Sequence, residues 1–419
     1  MQEKALSYPG GLTAVVEYIP TVRSVAVGFW VGTGSRHEQK ANNGISHFTE
    51  HMLFKGTDTM GAQDIANAFE NYGAHINAFT GKEYTCYYFK SIDEYKADCF
   101  RLLSEIFFDS VFDPAELDRE RKVIIEEINM VEDAPEDLCS DVIAAAAYGE
   151  AGLGRTILGS VKNVSRFTRA DILSYMRANY LPQNTVISFA GNITSAEADK
   201  LIGRFVLPKF PAAPTQKSGT AQSENRRKYL ARIKDFEQSN IALSWPSVKF
   251  ADEKMPIQTV MNVIVGGGMS SRLFQSVRER QGLAYSVYSA PSGYTDCGNF
   301  NILLNITPAN TQETLLSVKA ELDKLKAGGI TEAELTRARV QLKAALVFSQ
   351  ESVQGQMNAL GKFMLNTGRI YDVDERIQEI DGVTLSAVNG LIRETFDYQK
   401  LNAAYVGKET GVDMLGLFA

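Results

Sequence analysis

The sequence is poor in cysteine, and its few cysteines are not grouped. The four of them, Cys86, Cys99, Cys139 and Cys297, lie far apart, and no two form a CxxC motif. Disulfide-rich secreted domains and thiolate zinc sites both depend on closely spaced cysteines. We therefore exclude both classes and expect free thiols in a reducing compartment, which predicts a cytoplasmic location.

Long apolar runs and concentrated positive charge are also missing. Nowhere do about 18 apolar residues follow one another, as a membrane span requires, and the first six residues lack the apolar stretch of a signal peptide. The net charge is −7, and the longest basic run is Arg226-Arg227-Lys228. We therefore expect no membrane span and no nucleic-acid partner, and the acidic balance suits a neutral or basic partner.

What remains is a globular composition that is large enough for more than one domain. The chain has 419 residues, of which 44% are hydrophobic and 22% are charged. Residues 211–228 are rich in Pro, Ser, Thr and Gln, which predicts a linker between an N-terminal domain at 1–210 and a C-terminal domain at 229–419. Strand-like and helix-like segments follow one another without regular βαβ spacing, which predicts the α+β class.

The two halves contain a trace of internal similarity. The sequence AELDRER at 115–121 matches AELTRAR at 333–339 in five of seven positions. A match of this kind at corresponding places in two halves favours duplication of one domain.

Two of only four histidines fall in the short motif His47-Phe48-Thr49-Glu50-His51. On a helix, residues four apart lie on one face, so the imidazoles of His47 and His51 can reach a single ion while Glu50 borders that face. This pattern favours a zinc site. We interpret the isolated His37 as a surface or core residue.

A catalytic zinc ion commonly has three protein ligands, so a third donor is expected. The run from Asp113 to Glu116 has the sequence of a helix start, and a helix continuing to about Met130 would carry several glutamates. Glu120 and Glu127 are seven apart and share a face of that helix, whereas Glu126 points elsewhere. We assign Glu127 as the third ligand and Glu120 as a carboxylate that orients a ligand or tunes the metal-bound water.

These residue types indicate peptide-bond hydrolysis. Zinc lowers the pKa of bound water to about 7 and polarises a carbonyl oxygen. Glu50 can take the proton of the water and pass it to a leaving amine, as a general base and acid. Two histidines and one carboxylate also describe an iron oxygenase, for which oxygen-dependent turnover would be the sign.

The segments GSRHE at 34–38 and GISHFTEHMLFKGT at 44–57 resemble the signature of the M16 metallopeptidases, zinc proteases with an inverted HxxEH motif that include the mitochondrial processing peptidase β subunit. Glu127 follows at the spacing of the third ligand of the family, and Glu120 matches its auxiliary glutamate. The chain length is similar to that of the short subfamily. The resemblance implies two homologous α+β domains, each a mixed or antiparallel sheet covered by helices in a half-shell.

The resemblance also implies residues that bind substrate. Residues 75–80 resemble the edge strand to which a peptide adds, so Asn77 and Ala78 would contact the peptide backbone and Phe79 would line a side-chain pocket. Without the resemblance, these are ordinary strand and turn residues. Arg278 and Tyr285 resemble a pair that binds the substrate backbone and helps to stabilise the oxyanion.

In the family two subunits close around a chamber, which implies that Arg278 and Tyr285 act on the zinc of a partner subunit. A homodimer is the simplest expectation, and a heterodimer with a homologous subunit is the alternative. Ala338 and Ala345 stand where the first half has its two glutamates, so we expect one zinc ion per chain. The predicted function is a zinc-dependent endopeptidase for unfolded peptides or presequences. The alternative is a non-catalytic structural or peptide-binding subunit.

Overall fold

The computed structural model describes residues 2–150, 152–210 and 228–419, which form two compact units. The first unit contains the described residues of 2–128, 156–210 and 348–371. The second contains those of 129–155, 228–347 and 372–419. Each unit therefore combines segments from both halves of the sequence.

The strands are β1 (Gln2–Ser7), β2 (Thr13–Tyr18), β3 (Ser24–Val31), β4 (His75–Thr80), β5 (Thr85–Ile92), β6 (Thr185–Gly191), β7 (Tyr229–Ile233), β8 (Ser239–Ser247), β9 (Ala284–Gly293), β10 (Gly298–Ile306) and β11 (Asn402–Gly407). The helices are α1 (Ile45–Leu53), α2 (Ala62–Glu70), α3 (Lys96–Asp109), α4 (Pro114–Asp133), α5 (Pro135–Tyr148), α6 (Val161–Val164), α7 (Arg169–Asn179), α8 (Ser195–Phe205), α9 (Met255–Val265), α10 (Thr311–Gly328), α11 (Glu332–Ser349), α12 (Val353–Thr367), α13 (Val373–Gly382) and α14 (Leu385–Thr395). A π-helix spans Phe274–Arg280.

Each unit is built on one mixed sheet. The strand order is β1-β2-β6-β3-β5-β4 in the first unit and β7-β11-β8-β10-β9 in the second. The last five strands of the first sheet match the second sheet in order, and in both the first pair is parallel while the others are antiparallel. The predicted α+β class is confirmed, and this shared topology agrees with duplication.

A helix from the distant half of the sequence covers one face of each sheet. In the first unit α12 packs on β2, β3 and β6, and in the second unit α5 packs on β8 and β11. The approach of α12 depends on glycine, because a Cβ at Gly361 would lie 2.1 Å from Trp30 Nε1. The indole is held in place by the hydrogen bond that its Nε1 donates to Ser188 Oγ at 2.8 Å.

The predicted domain limits stay predictions. The linker at 211–228 falls almost wholly on residues 211–227, which lie outside the described residues. The limits at 210 and 229 adjoin that segment.

The main core of the first unit lies on the face of the sheet opposite α12. There α1 and α3 bury large side chains such as Phe48 and Phe100 against β3 and β5, and β5 contributes Phe89. This packing holds α1 beside β4 at the edge of the sheet. Among the described residues, no helix combines the length and the apolar character needed to cross a membrane. The predicted cytoplasmic location stays a prediction.

Candidate metal centre

The helix α1 presents both histidines of the motif on one face because its large apolar side chains are buried on the other. Phe48, Met52 and Leu53 are completely buried in the core of the first unit. The helix begins after Gly44, whose φ of 102° favours glycine. With those side chains facing inward, the helical period leaves His47 and His51 one turn apart at the surface of the helix.

The donor atoms of three predicted ligands converge. His47 Nε2 and His51 Nε2 are 3.2 Å apart, and Glu127 Oε2 lies 3.8 Å from the first and 3.6 Å from the second. Within the described ranges, these three residues are the one group of histidine, cysteine and acidic side chains whose donor atoms all lie within 4.8 Å of one another.

This geometry fits a tetrahedral zinc ion. Two nitrogen ligands at the usual zinc distance of about 2.0–2.1 Å are separated by about 3.3 Å in a tetrahedron. The separation of the two histidine nitrogens is 3.2 Å, and Glu127 needs to shift by only a few tenths of an ångström. Two imidazoles and one carboxylate are also a donor set that zinc accepts.

Glu120 is buried behind His51, with 5% of its surface exposed. Its Oε1 lies 2.8 Å from His51 Nδ1, and its Oε2 lies 2.7 Å from Lys55 Nζ. Burial raises the pKa of Glu120, but the bonds from His51 and Lys55 outweigh burial and lower it below its usual value. Glu120 is therefore a carboxylate that keeps its charge inside the protein.

The two histidines differ in their electrostatic surroundings. Burial, reinforced by the charge of His51, lowers the pKa of His47 to about 3. Burial also lowers the pKa of His51, but the hydrogen bond to Glu120 and the charges of Glu127 and Glu50 raise it above its usual value. His47 is therefore neutral at pH 7, which is the form that binds a metal ion.

Glu50 lies next to the three donors but is not one of them. It is 9% exposed, and Thr80 Oγ1 donates a hydrogen bond to its Oε2. Burial raises the pKa of Glu50, while the bond from Thr80 and the charge of His51 oppose the rise and the charge of Glu127 adds to it. A carboxylate with a raised pKa beside a metal site is suited to proton transfer.

The predicted substrate strand is β4, which pairs with β5 and has no other partner among the described strands. Asn77 Oδ1 accepts a hydrogen bond from the backbone N–H of Ala78 at 2.8 Å. Ala78 packs toward the core beneath α1, whereas the ring of Phe79 packs with Trp30 on the opposite face of the sheet. The roles assigned to Asn77, Ala78 and Phe79 stay predictions.

Arg278 and Tyr285 lie together in the second unit. Arg278 belongs to the π-helix, and its guanidinium carbon lies 4.9 Å from the ring centre of Phe274 and 5.9 Å from that of Tyr285. Tyr285, at the start of β9, is 72% exposed. The structure brings these two residues together, and their action on substrate stays a prediction.

Sequence reasoning missed two polar residues at this centre. Thr80 ends the segment recognised as the substrate strand, and Lys55 lies four residues after His51 within the signature. A hydroxyl and an ammonium group so close to the motif are signals that could have indicated partners for Glu50 and Glu120. Which carboxylate each one meets depends on tertiary packing.

Comparison with known proteins assigns the chain to a family. Residues 13–161 match the family described as Insulinase (Peptidase family M16), and residues 166–342 match the Peptidase M16 inactive domain. The uncharacterized zinc protease YmxG of Bacillus subtilis is 41% identical over 396 residues, which cover 94% of this chain and 95% of that protein. The chain belongs to peptidase family M16. An uncharacterized zinc protease of Streptomyces coelicolor is 37% identical over 394 residues, covering 92% of this chain and 85% of that protein.

Two solved structures have the same fold as this M16 chain. The M16 inactive domain from Pseudomonas fluorescens has a TM-score of 0.91 at 19% identity and covers 98% of each chain. A protease from Helicobacter pylori has a TM-score of 0.90 at 20% identity, covering 97% of this chain and 99% of that one. The M16 chain thus has relatives named as zinc proteases and places two histidines and a glutamate within reach of one ion.

Proposed function

We propose that this M16 family protein is a zinc-dependent endopeptidase that hydrolyses unfolded peptides or presequences and binds one zinc ion per chain. The single observation that carries the proposal is the convergence of His47, His51 and Glu127, with donor atoms within 4.8 Å of one another. Glu50, buried beside them and held by Thr80, supplies the group that zinc proteases need in addition to their ligands.

His47 Nε2, His51 Nε2 and a carboxylate oxygen of Glu127 would hold the ion. When bound, zinc supplies Lewis acidity, which makes water more acidic and polarises the scissile carbonyl. The carboxylate of Glu50 accepts the proton of the attacking water and returns it to the leaving amine nitrogen. Thr80 keeps one oxygen of Glu50 fixed by donating a hydrogen bond, so the other oxygen carries the proton.

The open edge of β4 supports an extended peptide as substrate. An added strand makes main-chain hydrogen bonds and so accepts many sequences. Without a peptide, Asn77 Oδ1 accepts the hydrogen bond of the Ala78 N–H at 2.8 Å. A backbone carbonyl of a bound peptide would replace Asn77 as that acceptor. A segment must be free of its own fold to add to β4 as a new strand, which favours unfolded segments as substrates.

We also propose that two copies of this chain close around the substrate. Arg278 and Tyr285 would then contact the peptide bound at the zinc site of the partner, where a guanidinium and a phenol are suitable donors to a developing oxyanion. A homologous subunit is the alternative partner.

The decisive experiment follows cleavage of a mixed peptide library by mass spectrometry. We expect cleavage within chains, its loss on treatment with a chelator and its return with zinc. Glu50→Gln should retain one zinc ion per chain by elemental analysis and lose at least about 100-fold in turnover, as expected for a general base. Glu70→Gln, which changes an exposed carboxylate at the end of α2, is the matched control and should leave turnover unchanged.

Two results would overturn the proposal. Cleavage that persists after complete removal of metal would exclude a zinc mechanism. A purified protein that binds zinc but cleaves no peptide in the library would support the non-catalytic alternative.

A further inference from the structure

The carboxylate of Glu38 sits at the N-terminus of α1 and is the acceptor for the first backbone N–H groups of that helix. Glu38 Oε2 accepts from the N–H of Gly44 at 2.8 Å, and Oε1 accepts from the N–H of Ser46 at 2.8 Å. Asn43 Nδ2 donates to Oε2 at 2.7 Å. Glu38 is 4% exposed, so these bonds form inside the protein. Burial raises the pKa of Glu38, while its hydrogen bonds to Ser46, Asn43 and Gly44 oppose the rise. The ionised carboxylate would also complement the dipole of the helix.

The loop that carries Glu38 is itself held in place. Asn43 Nδ2 also donates to the backbone oxygen of Thr156 at 2.9 Å. A Cβ at Gly44 would lie 2.6 Å from the backbone oxygen of Leu158. The loop that contains Asn43 and Gly44 therefore packs closely against the loop that contains Thr156 and Leu158. The carboxylate therefore meets α1 from a fixed position.

His47 has no side-chain anchor of the kind that His51 has. His51 Nδ1 is bound by Glu120 at 2.8 Å. His47 Nδ1 is buried and, within the part of the chain that the structure describes, has no hydrogen-bond partner. Metal-binding histidines usually donate their second ring nitrogen to a fixed acceptor. The position of the His47 ring must therefore come from its backbone and from packing.

His47 comes directly after Ser46, the residue whose backbone Glu38 binds. Ser46 precedes His47, and its N–H is the donor to Glu38 Oε1. The hydroxyl of Ser46 lies 2.7 Å from Tyr175 Oη on α7. Ser46 is completely buried, so Glu38 and Tyr175 fix it from two sides.

We propose that Glu38 is a positioning residue of the metal centre, which sets the place of His47 through the first turn of α1. The inference rests on the proposed zinc site and adds to it a residue outside the ligand set and outside the HxxEH motif. In this role Glu38 differs from an ordinary helix cap, which would stabilise α1 without changing the affinity of the site for zinc.

The test compares wild type with Glu38→Gln, in which an amide N–H₂ replaces one of the two acceptors. We expect zinc affinity, measured by competition with a chromogenic chelator, to fall about 10- to 100-fold, the range found when partners of metal ligands are changed. The visible spectrum of the cobalt-substituted protein should also change, because it reports the ligand geometry. The control is Glu197→Gln, which removes the capping carboxylate of α8, a helix without site residues. The control should lower the melting temperature and leave zinc affinity and the cobalt spectrum unchanged.

A second variant covers the case in which Glu38→Gln does not fold. Ser46→Ala keeps the backbone N–H and removes the hydroxyl, which hydrogen-bonds to the carboxylate of Glu38 as well as to Tyr175. We expect zinc affinity to fall roughly two- to tenfold, the equivalent of one hydrogen bond. If wild type binds zinc and either folded variant binds it with unchanged affinity and an unchanged cobalt spectrum, the inference is wrong. If wild type does not bind zinc, or if His47→Ala binds it equally well, the proposed zinc site fails instead.

Discussion

His51 Nδ1 and Glu120 Oε1 are 2.8 Å apart, and the opposite nitrogen of the same imidazole lies 3.2 Å from His47 Nε2. Because a carboxylate can only accept, the bond to Glu120 places the proton of His51 on Nδ1 and leaves the lone pair of Nε2 facing the candidate ion. Lys55 holds the second oxygen of Glu120 at 2.7 Å. One buried carboxylate thus fixes both the tautomer and the orientation of a predicted ligand.

We predict that Glu120→Gln weakens zinc binding about 10- to 100-fold, because the amide loses the charge that makes His51 a stronger ligand. Titration with zinc against a chromogenic chelator measures the change. Glu116→Gln lies one turn earlier on α4 and changes a carboxylate that pairs with Arg119 at the surface. The Glu116 variant should bind zinc as wild type does. Equal affinity in the two variants would show that Glu120 does not act on the metal centre.

We predict that Gly361→Ala destabilises the protein by about 2–3 kcal/mol, because overpacking a buried contact forces the neighbours apart. The new Cβ would lie 2.1 Å from Trp30 Nε1, and the indole cannot retreat without losing its bond to Ser188. The midpoint of urea denaturation measures the effect.

The matched control for this prediction is Gly203→Ala in α8, where an added Cβ meets no described atom within 4 Å. Removing a helical glycine there should stabilise the protein by roughly 0.5–1 kcal/mol. If Gly361→Ala leaves the free energy of unfolding unchanged, α12 can move away from the sheet to make room for the added methyl group.

We predict that the stabilisation by Glu197 depends on pH. Burial raises the pKa of Glu197, but hydrogen bonds from Lys96 and Thr194 outweigh it and lower the pKa from 4.5 to about 2. Because the pKa is lower in the folded state, the contribution is complete above pH 4.5 and is lost as the pH falls through about 2. The side chain of Glu197 is 43% exposed, so the contribution is small.

Thermal denaturation of wild type and Glu197→Gln checks this dependence. The melting temperature of wild type should exceed that of the variant at pH 7, and the difference should shrink by about half or more at pH 3. A difference that is equal at both pH values would contradict the charge-dependent cap.

The parts of the site that follow from local rules could be predicted from the sequence. The helical period places His47 and His51 on one face, and α4 begins where Asp113 and Pro114 indicate, with Asp113 Oδ1 accepting from the N–H of Ala115 at 2.8 Å. The seven-residue spacing then brings Glu120 and Glu127 to the same side. The helix ends at Asp133, slightly beyond the predicted end.

The contacts between distant segments could not be predicted in this way. Alternation along β4 places Thr80 toward Glu50 and Phe79 toward Trp30, but only the packing of the sheet decides which face meets α1. The packing of α12 on the first sheet could not be predicted for the same reason. Nothing in the local sequence of 353–367 shows that this helix packs on strands from the other half of the chain. The role of Glu38 could not be predicted either, because the donors to its carboxylate are backbone N–H groups six and eight residues away.

The final prediction concerns the proposed homodimer, in which Tyr285 of one copy serves the zinc site of the other. Glu50→Gln and Tyr285→Phe should each inactivate the enzyme alone. After equal mixing and exchange of subunits, half of the dimers carry one copy of each variant, and in each mixed dimer one of the two sites combines an intact Glu50 with an intact Tyr285. Activity should therefore return to about a quarter of the wild-type value. If both residues serve the same site within one chain, mixing restores nothing. Light scattering on the mixture establishes whether dimers are present, so a monomeric protein without restored activity would exclude the proposed assembly directly.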